Sequence, residues 1–412
     1  MTSVVCPYCF DRTAAARLPF RCLMPSTGLR GSVRCAAEND DVWAEFKGAG
    51  LSPGDRMRGP VFPAPRSFGG LRPAGPRAAC PACGAATPVR VCPGCHSDLP
   101  SDYCEQESRI IGLLGAKASG KSTYVTVLVN ELRHRVGAAY RASLVPMGGE
   151  TQHRDRELAE DLYERLRLPE ATRPAALGFN DPLIYRLSVP GSGRREGGSR
   201  HTALVFFDAA GEDLSSAEAM NRYTRYLGAA DAVILLVDPL QFGAVRDSLP
   251  AGHGTDLPAV EASAQQIAAD LATQLRQHGR GDSKGRVETP LAVAVTKTDA
   301  LSHLLEPHSP LLRNAPHRGG VLDREDLTAA REETAALLAA CDAGALRRQL
   351  ERDFAEVGLF GLSALGASPP PGAPADAPPS GPRPLRVEDP LLWLLARRGL
   401  VPVHKPTGGS SR

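Results

Sequence analysis

Arg109-Ile-Ile-Gly-Leu-Leu-Gly115-Ala-Lys-Ala-Ser-Gly-Lys-Ser122-Thr-Tyr-Val-Thr-Val-Leu-Val-Asn-Glu-Leu-Arg133 decides how this 412-residue chain folds. The apolar run before Gly115 is short enough for a buried strand, and the residues from Tyr124 onward read as a helix. Between them lies a complete G-x-x-x-x-G-K-S, in the strand–loop–helix setting that gives the pattern meaning. Its glycines let the backbone curl so that successive N–H groups face phosphate oxygens, and the new helix adds its positive N-terminal end. Gly115, Ala116, Lys117, Ala118, Ser119, Gly120, Lys121, Ser122 and Thr123 are the expected phosphate-contacting residues. Lys121 should reach the β- and γ-phosphates, and Ser122 should ligate Mg²⁺. Lys117 and Ser119 occupy variable positions, where an exposed loop residue and a phosphate contact are both open.

Downstream, Leu183 to Val189 and Thr202 to Phe207 read as two strands joined by a Gly/Arg-rich tip, and the second runs into Asp208-Ala-Ala-Gly211-Glu212-Asp213. An aspartate at the end of an apolar strand suits a magnesium site, and Gly211 can offer its N–H to a γ-phosphate. Ala232 to Val237 and Pro290 to Val295 are further strands, with an amphipathic helix expected from Pro258 to His278. The second of these ends in Thr296-Lys297-Thr298-Asp299. In a guanine-specific pocket, a carboxylate at Asp299 would accept two hydrogen bonds from the base; adenine cannot supply that pair, and leaving a buried carboxylate unpaired is costly. In such a pocket the stem of Lys297 would pack beside the base. A last strand, Val357 to Leu362, leads to Ser363-Ala364-Leu365-Gly366, whose amides can face the base or form an ordinary turn.

G115-AKASG-KS, D208-AAG, T296-KTD and S363-AL occur in the order of the P-loop GTPase motifs, over about 250 residues. The chain resembles the TRAFAC-class, Ras-like GTPases, and its cysteine-rich front makes it look most like the bacterial double-GTPase-type proteins of predicted conflict systems. The resemblance implies an α/β fold, with a mainly parallel sheet flanked by helices, binding GTP or GDP with Mg²⁺ at the carboxyl ends of the strands. Residue by residue, it implies Lys121 and Ser122 on phosphate and magnesium, Asp208 and Gly211 in switch II, Asp299 and Lys297 on guanine, and Ala364 on the base through its backbone. Switch I needs a threonine that joins Ser122 and Asp208 at magnesium; Thr172 is best placed, with Thr151 as the alternative. The chain departs from the family pattern twice. Thr296 replaces the usual asparagine, and Glu212 stands where many relatives carry the water-positioning glutamine. Glutamate lacks the amide donor, so slow or partner-stimulated hydrolysis is expected.

Nine of the ten cysteines precede residue 105, in a chain with no export signal, so metal is a better reading than disulfides. Cys80/Cys83 and Cys92/Cys95 look like the two knuckles of a compact zinc ribbon. Cys6, Cys9, Cys22 and Cys35 form a second group, so eight thiolates suit two Zn²⁺ ions. A cross-braced pairing of Cys6/Cys9 with either later pair uses the same ligands. His96 is a weaker substitute ligand, and Cys104 and Cys341 read as core residues. A closed four-sulfur site leaves no position for substrate, so the module should be structural or serve docking to a protein partner.

The expected organisation is a cysteine-rich module over residues 1–105, with an irregular Pro/Gly/Arg-rich insertion at 36–79, then a nucleotide domain over 106–400. A Pro-rich loop is expected at 368–384 and a flexible tail at 401–412. Asp323 to Phe354 reads as one long helical stretch and Asp389 to Arg398 as a closing helix with a core face. A net charge of +2 gives no reason to expect nucleic acid as a partner, and no apolar run approaches a membrane span, so a cytoplasmic location is expected. Only six lysines stand against 42 arginines, and three of the six, Lys117, Lys121 and Lys297, fall in the nucleotide motifs. At Lys121 a compact ammonium suits the phosphate cradle better than a planar guanidinium.

Overall fold

The computed structural model describes residues 3–24, 34–48, 51–65, 75–116, 118–169, 181–190, 199–208, 225–249, 263–367 and 381–404. At its centre is a seven-stranded sheet. The strands are β1 (Glu107–Gly115), β2 (Ser143–Pro146), β3 (Leu183–Pro190), β4 (Ser199–Asp208), β5 (Ala232–Val237), β6 (Leu291–Val295) and β7 (Val357–Gly361). They lie in the order β2-β3-β4-β1-β5-β6-β7. The β2–β3 and β3–β4 pairs are antiparallel; every other pair is parallel. This is the mainly parallel α/β architecture the sequence implies.

Register brings the carboxyl ends of five strands to one edge. Leu113 pairs with Asp208, Gly115 with Leu236, Val237 with Val295, and Val295 with Gly361. The carboxyl ends of β1, β4, β5, β6 and β7 therefore all lie on the same side, where a parallel sheet places its ligands.

Alternation along the strands feeds two cores, because successive side chains point to opposite faces. Ile111, Leu113, Leu204, Phe206, Ile234 and Ala292 face one side. There they meet α1 (Lys121–Arg133), α2 (Arg135–Tyr140) and α7 (Asp389–Arg397). Trp393 is buried on α7 in that core, as its apolar face suggests. Arg386, fully enclosed just before α7, bonds Asp389 at 2.8 Å, Asp326 at 2.5 Å and the Pro310 carbonyl at 2.7 Å.

Ile110, Leu114, Val205, Phe207, Val233 and Val293 face the other side. Here α4 (Ala264–Gln277) and α6 (Gly344–Asp353) cover one part of the sheet, and the first cysteine knuckle covers another: Val4, Val5, Cys6, Cys9 and Phe10 belong to the same continuous core. Tyr103, fully buried, donates its hydroxyl to the Val5 carbonyl at 2.9 Å and ties this knuckle to the segment entering β1.

Three expectations change at this level. The stretch from Asp323 to Phe354 is two helices, α5 (Arg324–Ala340) and α6. Asp342 takes a left-handed φ of +56° between them, and the Ala343 N–H bonds back to the Leu338 carbonyl, which ends α5. The insertion at 36–79 holds a short helix, Asp41–Lys47, capped by Asp40, whose carboxylate accepts the Trp43 N–H at 3.1 Å. The amphipathic helix expected from Pro258 begins at Ala264, capped by Ser263; residues 251–262 lie outside the described residues. The Pro-rich stretch is described only from residue 381, and the tail only to residue 404.

Candidate functional site

β1 delivers Gly115 to the edge where the strands end, and the chain turns there into α1. A methyl group on Gly115 would lie 2.5 Å from Ser119 Oγ and 2.8 Å from the Leu236 carbonyl, so only glycine lets the loop close against β5. Ala118 (φ +58°) and Gly120 (φ +86°) take left-handed conformations that curl the backbone. No side chain caps the start of α1 among the described residues. Lys121 is buried and donates to the carbonyls of Gly115 and Ala116, both at 3.0 Å, so its ammonium lies across the mouth of the loop. Ser122 stands next to it, its carbonyl accepting the Thr126 hydroxyl. Ser119 is fully buried, and its Oγ has no hydrogen-bond partner among the described residues. These residues fit a polyphosphate.

The segment expected to read the base follows β6. Thr296 is buried, its hydroxyl 3.4 Å from the carbonyls of both Ser119 and Val237, which ties it to the phosphate loop. Lys297 adopts φ +51° and spans the gap, donating to the Ala118 carbonyl at 3.2 Å and to Asp238 Oδ2 at 2.6 Å. Asp299 Oδ1 accepts the Ser363 hydroxyl at 2.5 Å, and Ser363 Oγ in turn accepts the Gly366 N–H at 2.8 Å. The turn Ser363–Ala364–Leu365 is thereby fixed to Asp299, and three expected base-contacting groups come together from two strands.

Asp238 was not singled out by motif. It sits one residue past β5, its side chain wholly enclosed, with Oδ1 accepting the Leu240 N–H at 2.9 Å and Oδ2 paired with Lys297. An aspartate ending an apolar strand was the available signal, the same one that marked Asp208.

Asp208 is the last residue of β4, opposite Leu113, two residues before the phosphate loop begins. Lys117, Thr172, Gly211 and Glu212 lie outside the described residues. Thr151 has a different job: it is buried at the start of the helix α3 (Gly149–Ala159), with its hydroxyl accepting the Ile184 N–H at 3.2 Å.

The eight expected cysteines form two groups of four, but not as a compact ribbon. Cys6 and Cys9 join Cys92 and Cys95, and Cys22 and Cys35 join Cys80 and Cys83. The compact pairing of Cys80/Cys83 with Cys92/Cys95 is thus overturned in favour of cross-bracing. The reason lies in the knuckles. Cys6, Cys80 and Cys92 each accept, through the carbonyl, the N–H four residues on, and each donates its own N–H to the carbonyl five residues on. Three like turns need partners, and chain pairing decides them: Phe20–Arg21 sits between Val61–Phe62 and Arg90–Val91 in one sheet, which keeps the later knuckles apart.

The nearest sulfurs lie 3.7 Å (Cys6–Cys95), 3.5 Å (Cys9–Cys92), 3.5 Å (Cys22–Cys83) and 3.7 Å (Cys35–Cys80) apart. A tetrahedron with metal–sulfur bonds of about 2.3 Å has edges of about 3.8 Å, so both groups fit one ion each. Burial pushes the Cys6 thiol well above its usual range, while its contacts with Cys6 and Cys9 hold Cys92 well below. Four packed thiols share protons unequally, and a cation is what lets them ionise together. Burial alone would raise Cys80, but the N–H groups of Cys83 and Ala82, together with the thiols of Cys35 and Cys83, bring this thiol down to about 7. His96 is no ligand: its Nδ1 pairs with Asp40 at 2.7 Å, in a network where buried Arg21 also reaches Asp40, Asp98, and the carbonyls of Gly59 and His96.

Comparison with known proteins places this geometry. Residues 109–360 match the model of the family described as Double-GTPase 2. A Mycolicibacterium smegmatis protein, named provisionally as the ESX-1 scaffolding and assembly protein SaeC, is 29% identical over 415 residues, covering 96% of this chain and 99% of that protein. Among solved structures, the Arl6 BBS3 small GTPase of Trypanosoma brucei, with a bound GppNp, is similar at 15% identity, covering 71% of this chain and 98% of that one with a TM-score of 0.27. Sup35 complexed with GDP is similar at 14% identity, over 63% of this chain and 38% of that one, with a TM-score of 0.23. Among the described residues, no helix is long and apolar enough to cross a membrane.

Proposed function

The chain belongs to the double-GTPase 2 family, and on that footing we propose that it is a guanine-nucleotide-dependent assembly scaffold. It binds GTP and GDP with Mg²⁺, hydrolyses GTP slowly, and docks a protein partner through its N-terminal module and switch segments. The observation that carries the reading is the junction of Lys297, Ala118, Asp299 and Ser363, which joins an acceptor carboxylate to the phosphate loop. An acceptor-only group there favours guanine over adenine.

Lys121 and the start of α1 balance phosphate charge, and Ser122, Asp208 and Thr172 hold Mg²⁺ between them. Gly211 donates its N–H to the γ-phosphate. Glu212 orients water without the amide donor, which keeps turnover low. Thr296, Lys297, Asp299 and the amides of Ser363 to Leu365 read the base. Both cysteine groups take Zn²⁺, since four thiolates in a closed tetrahedron suit that ion and give it a structural part. The scaffolding and assembly named for the Mycolicibacterium relative support a scaffold over a metabolic reaction as the output.

Titration of the purified chain with fluorescent GDP, GTP and ATP analogues tests the specificity. Guanine nucleotides should bind at least about a hundredfold tighter than ATP, since two lost hydrogen bonds to a charged group, at about 1.5 kcal/mol each, amount to about 3 kcal/mol. Equal affinities would discredit the assignment. Single-turnover hydrolysis should take minutes or longer, and turnover at tens per second without a partner would refute the slow-switch part.

A further inference from the structure

Phe10 stands where its turn favours glycine. In all three knuckles the residue after the second cysteine is left-handed: Phe10 at φ +64°, Gly84 at +70° and His96 at +51°. Glycine adopts this freely, whereas a side chain is disfavoured. His96 is held there by Asp40 on its ring and Arg21 on its carbonyl. Phe10 is held by something else: its ring centre lies 5.4 Å from that of Phe207, edge-on, and 5.3 Å from that of Tyr226. Those two rings are themselves 4.7 Å apart.

Both contacts matter for the nucleotide edge. Phe207 immediately precedes Asp208. Tyr226 drives its hydroxyl between β1 and β4, accepting the Leu113 N–H at 2.7 Å and donating to the Phe207 carbonyl at 3.1 Å. Gly112 leaves room for it, since a methyl group there would sit 3.0 Å from that hydroxyl. The neighbouring residues repeat the contact, with Asp11 Oδ1 lying 3.7 Å from Arg225 Nη1. One knuckle therefore grips residues 207 and 225–226, on either side in sequence of the segment that carries Gly211 and Glu212.

We propose that Phe10 is a positioning residue that couples the Cys6/Cys9/Cys92/Cys95 centre to the magnesium-carrying end of β4. An ion on that centre fixes the Cys9–Phe10 turn, the turn fixes Phe207 and Tyr226, and these set how firmly the end of β4 is held. Linkage makes the effect reciprocal: bound Mg²⁺–nucleotide must tighten this centre's hold on its metal by the same factor. The Cys22/Cys35/Cys80/Cys83 centre is an internal control, because its core of Phe20, Phe62 and Ala78 contains no residue of the central sheet among the described residues. This inference rests on the nucleotide-site reading above.

The test uses the full chain loaded with zinc and a chromogenic chelator that reports metal loss, with Mg²⁺ alone or with Mg²⁺ and a non-hydrolysable GTP analogue. Two release phases are expected, and nucleotide should slow one of them by at least about fivefold, the lower end of allosteric coupling. Cys22→Ser should leave only the nucleotide-sensitive phase, and Cys92→Ser only the insensitive one. Phe10→Gly keeps the left-handed turn without the ring, so it should retain both metals while the nucleotide effect shrinks below about twofold; Phe10→Leu, which keeps apolar bulk, should fall between. Nucleotide-independent release from wild-type chain that binds the fluorescent analogue would overturn the coupling alone. A nucleotide effect that survives Phe10→Gly in full would overturn the role of Phe10. Failure of the wild-type chain to bind any guanine nucleotide would overturn the site reading and this inference with it.

Discussion

Replacing Asp238 by asparagine separates its ion pair with Lys297 from the turn it also caps. The native carboxylate serves two partners with two oxygens, the Leu240 N–H at 2.9 Å and Lys297 Nζ at 2.6 Å. Asparagine has one acceptor oxygen, so keeping the cap turns its NH₂ toward the ammonium, and the bond to Lys297 is lost. A hydrogen bond to a charged group contributes about 1.5–3 kcal/mol. The Lys297 side chain is 32% exposed while that of Asp238 is wholly enclosed, so water screens one end and the low half of the range applies. The expected loss is about 1.5–2 kcal/mol, which is roughly 10- to 30-fold in an equilibrium constant. Lys297 holds a left-handed backbone directly before Thr298 and Asp299, and nucleotide must restore that turn when it binds. Affinity for fluorescent GDP, measured by titration and by stopped-flow dissociation, should therefore fall by up to that factor, and affinity for the GTP analogue by the same amount. Thermal unfolding of the nucleotide-free chain is the control. If melting temperature drops while GDP affinity stays within about twofold, the pair stabilises the fold without shaping the site.

Gly115→Ala should weaken nucleotide binding and lower the melting temperature together, because the new methyl group meets a backbone carbonyl 2.8 Å away; overpacking of this kind costs about 1–3 kcal/mol, and calorimetry with and without nucleotide would read it. Elemental analysis should find two zinc ions per chain and one in Cys35→Ser; a single ion in the wild-type chain would contradict the pairing of the cysteine groups. Burial works against the Asp353 carboxylate, yet Arg352 and Arg276 hold its pKa below the ordinary range. A carboxyl with a depressed folded-state pKa contributes stability that is present above its unfolded value and lost as pH falls through the folded one. Asp353→Asn should therefore cost about 1 kcal/mol at neutral pH and progressively less below about pH 4, read from denaturant midpoints across that window.

The nucleotide edge was legible because each of its motifs is local. Gly115 to Ser122 needs only a preceding strand and a following helix, and both form where the apolar runs lie. Thr296 to Asp299 and Ser363 to Leu365 were legible as turns after strands, but the 2.5 Å bond between Ser363 and Asp299 depends on β6 and β7 being neighbours. Asp238 escaped notice because its partner is 59 residues away and its own surroundings resemble any strand end. Thr151 offered a hydroxyl in a plausible stretch, and only its buried bond to β3 shows that it is already engaged. The break at Asp342 was hidden because an Ala/Leu/Arg/Glu composition favours helix on both sides of it, and one left-handed residue carries no compositional mark.

What the amino-acid sequence determined by itself was the chemistry: a phosphate loop, an ordered set of strand-end acids, and eight thiolates in numbers that suit two ions. Those properties follow from residue type and short spacing, which the chain carries whatever it packs against. Only the tertiary structure decided which thiolates share an ion, since three similar knuckles offer several pairings and strand order selects one. It also drew the Cys6/Cys9/Cys92/Cys95 group into the central core, while the other group keeps a small core of its own. Phe10 looks like an ordinary residue after a C-x-x-C until β4 and Tyr226 are brought against it, because packing between segments about 200 residues apart leaves no trace in local pattern.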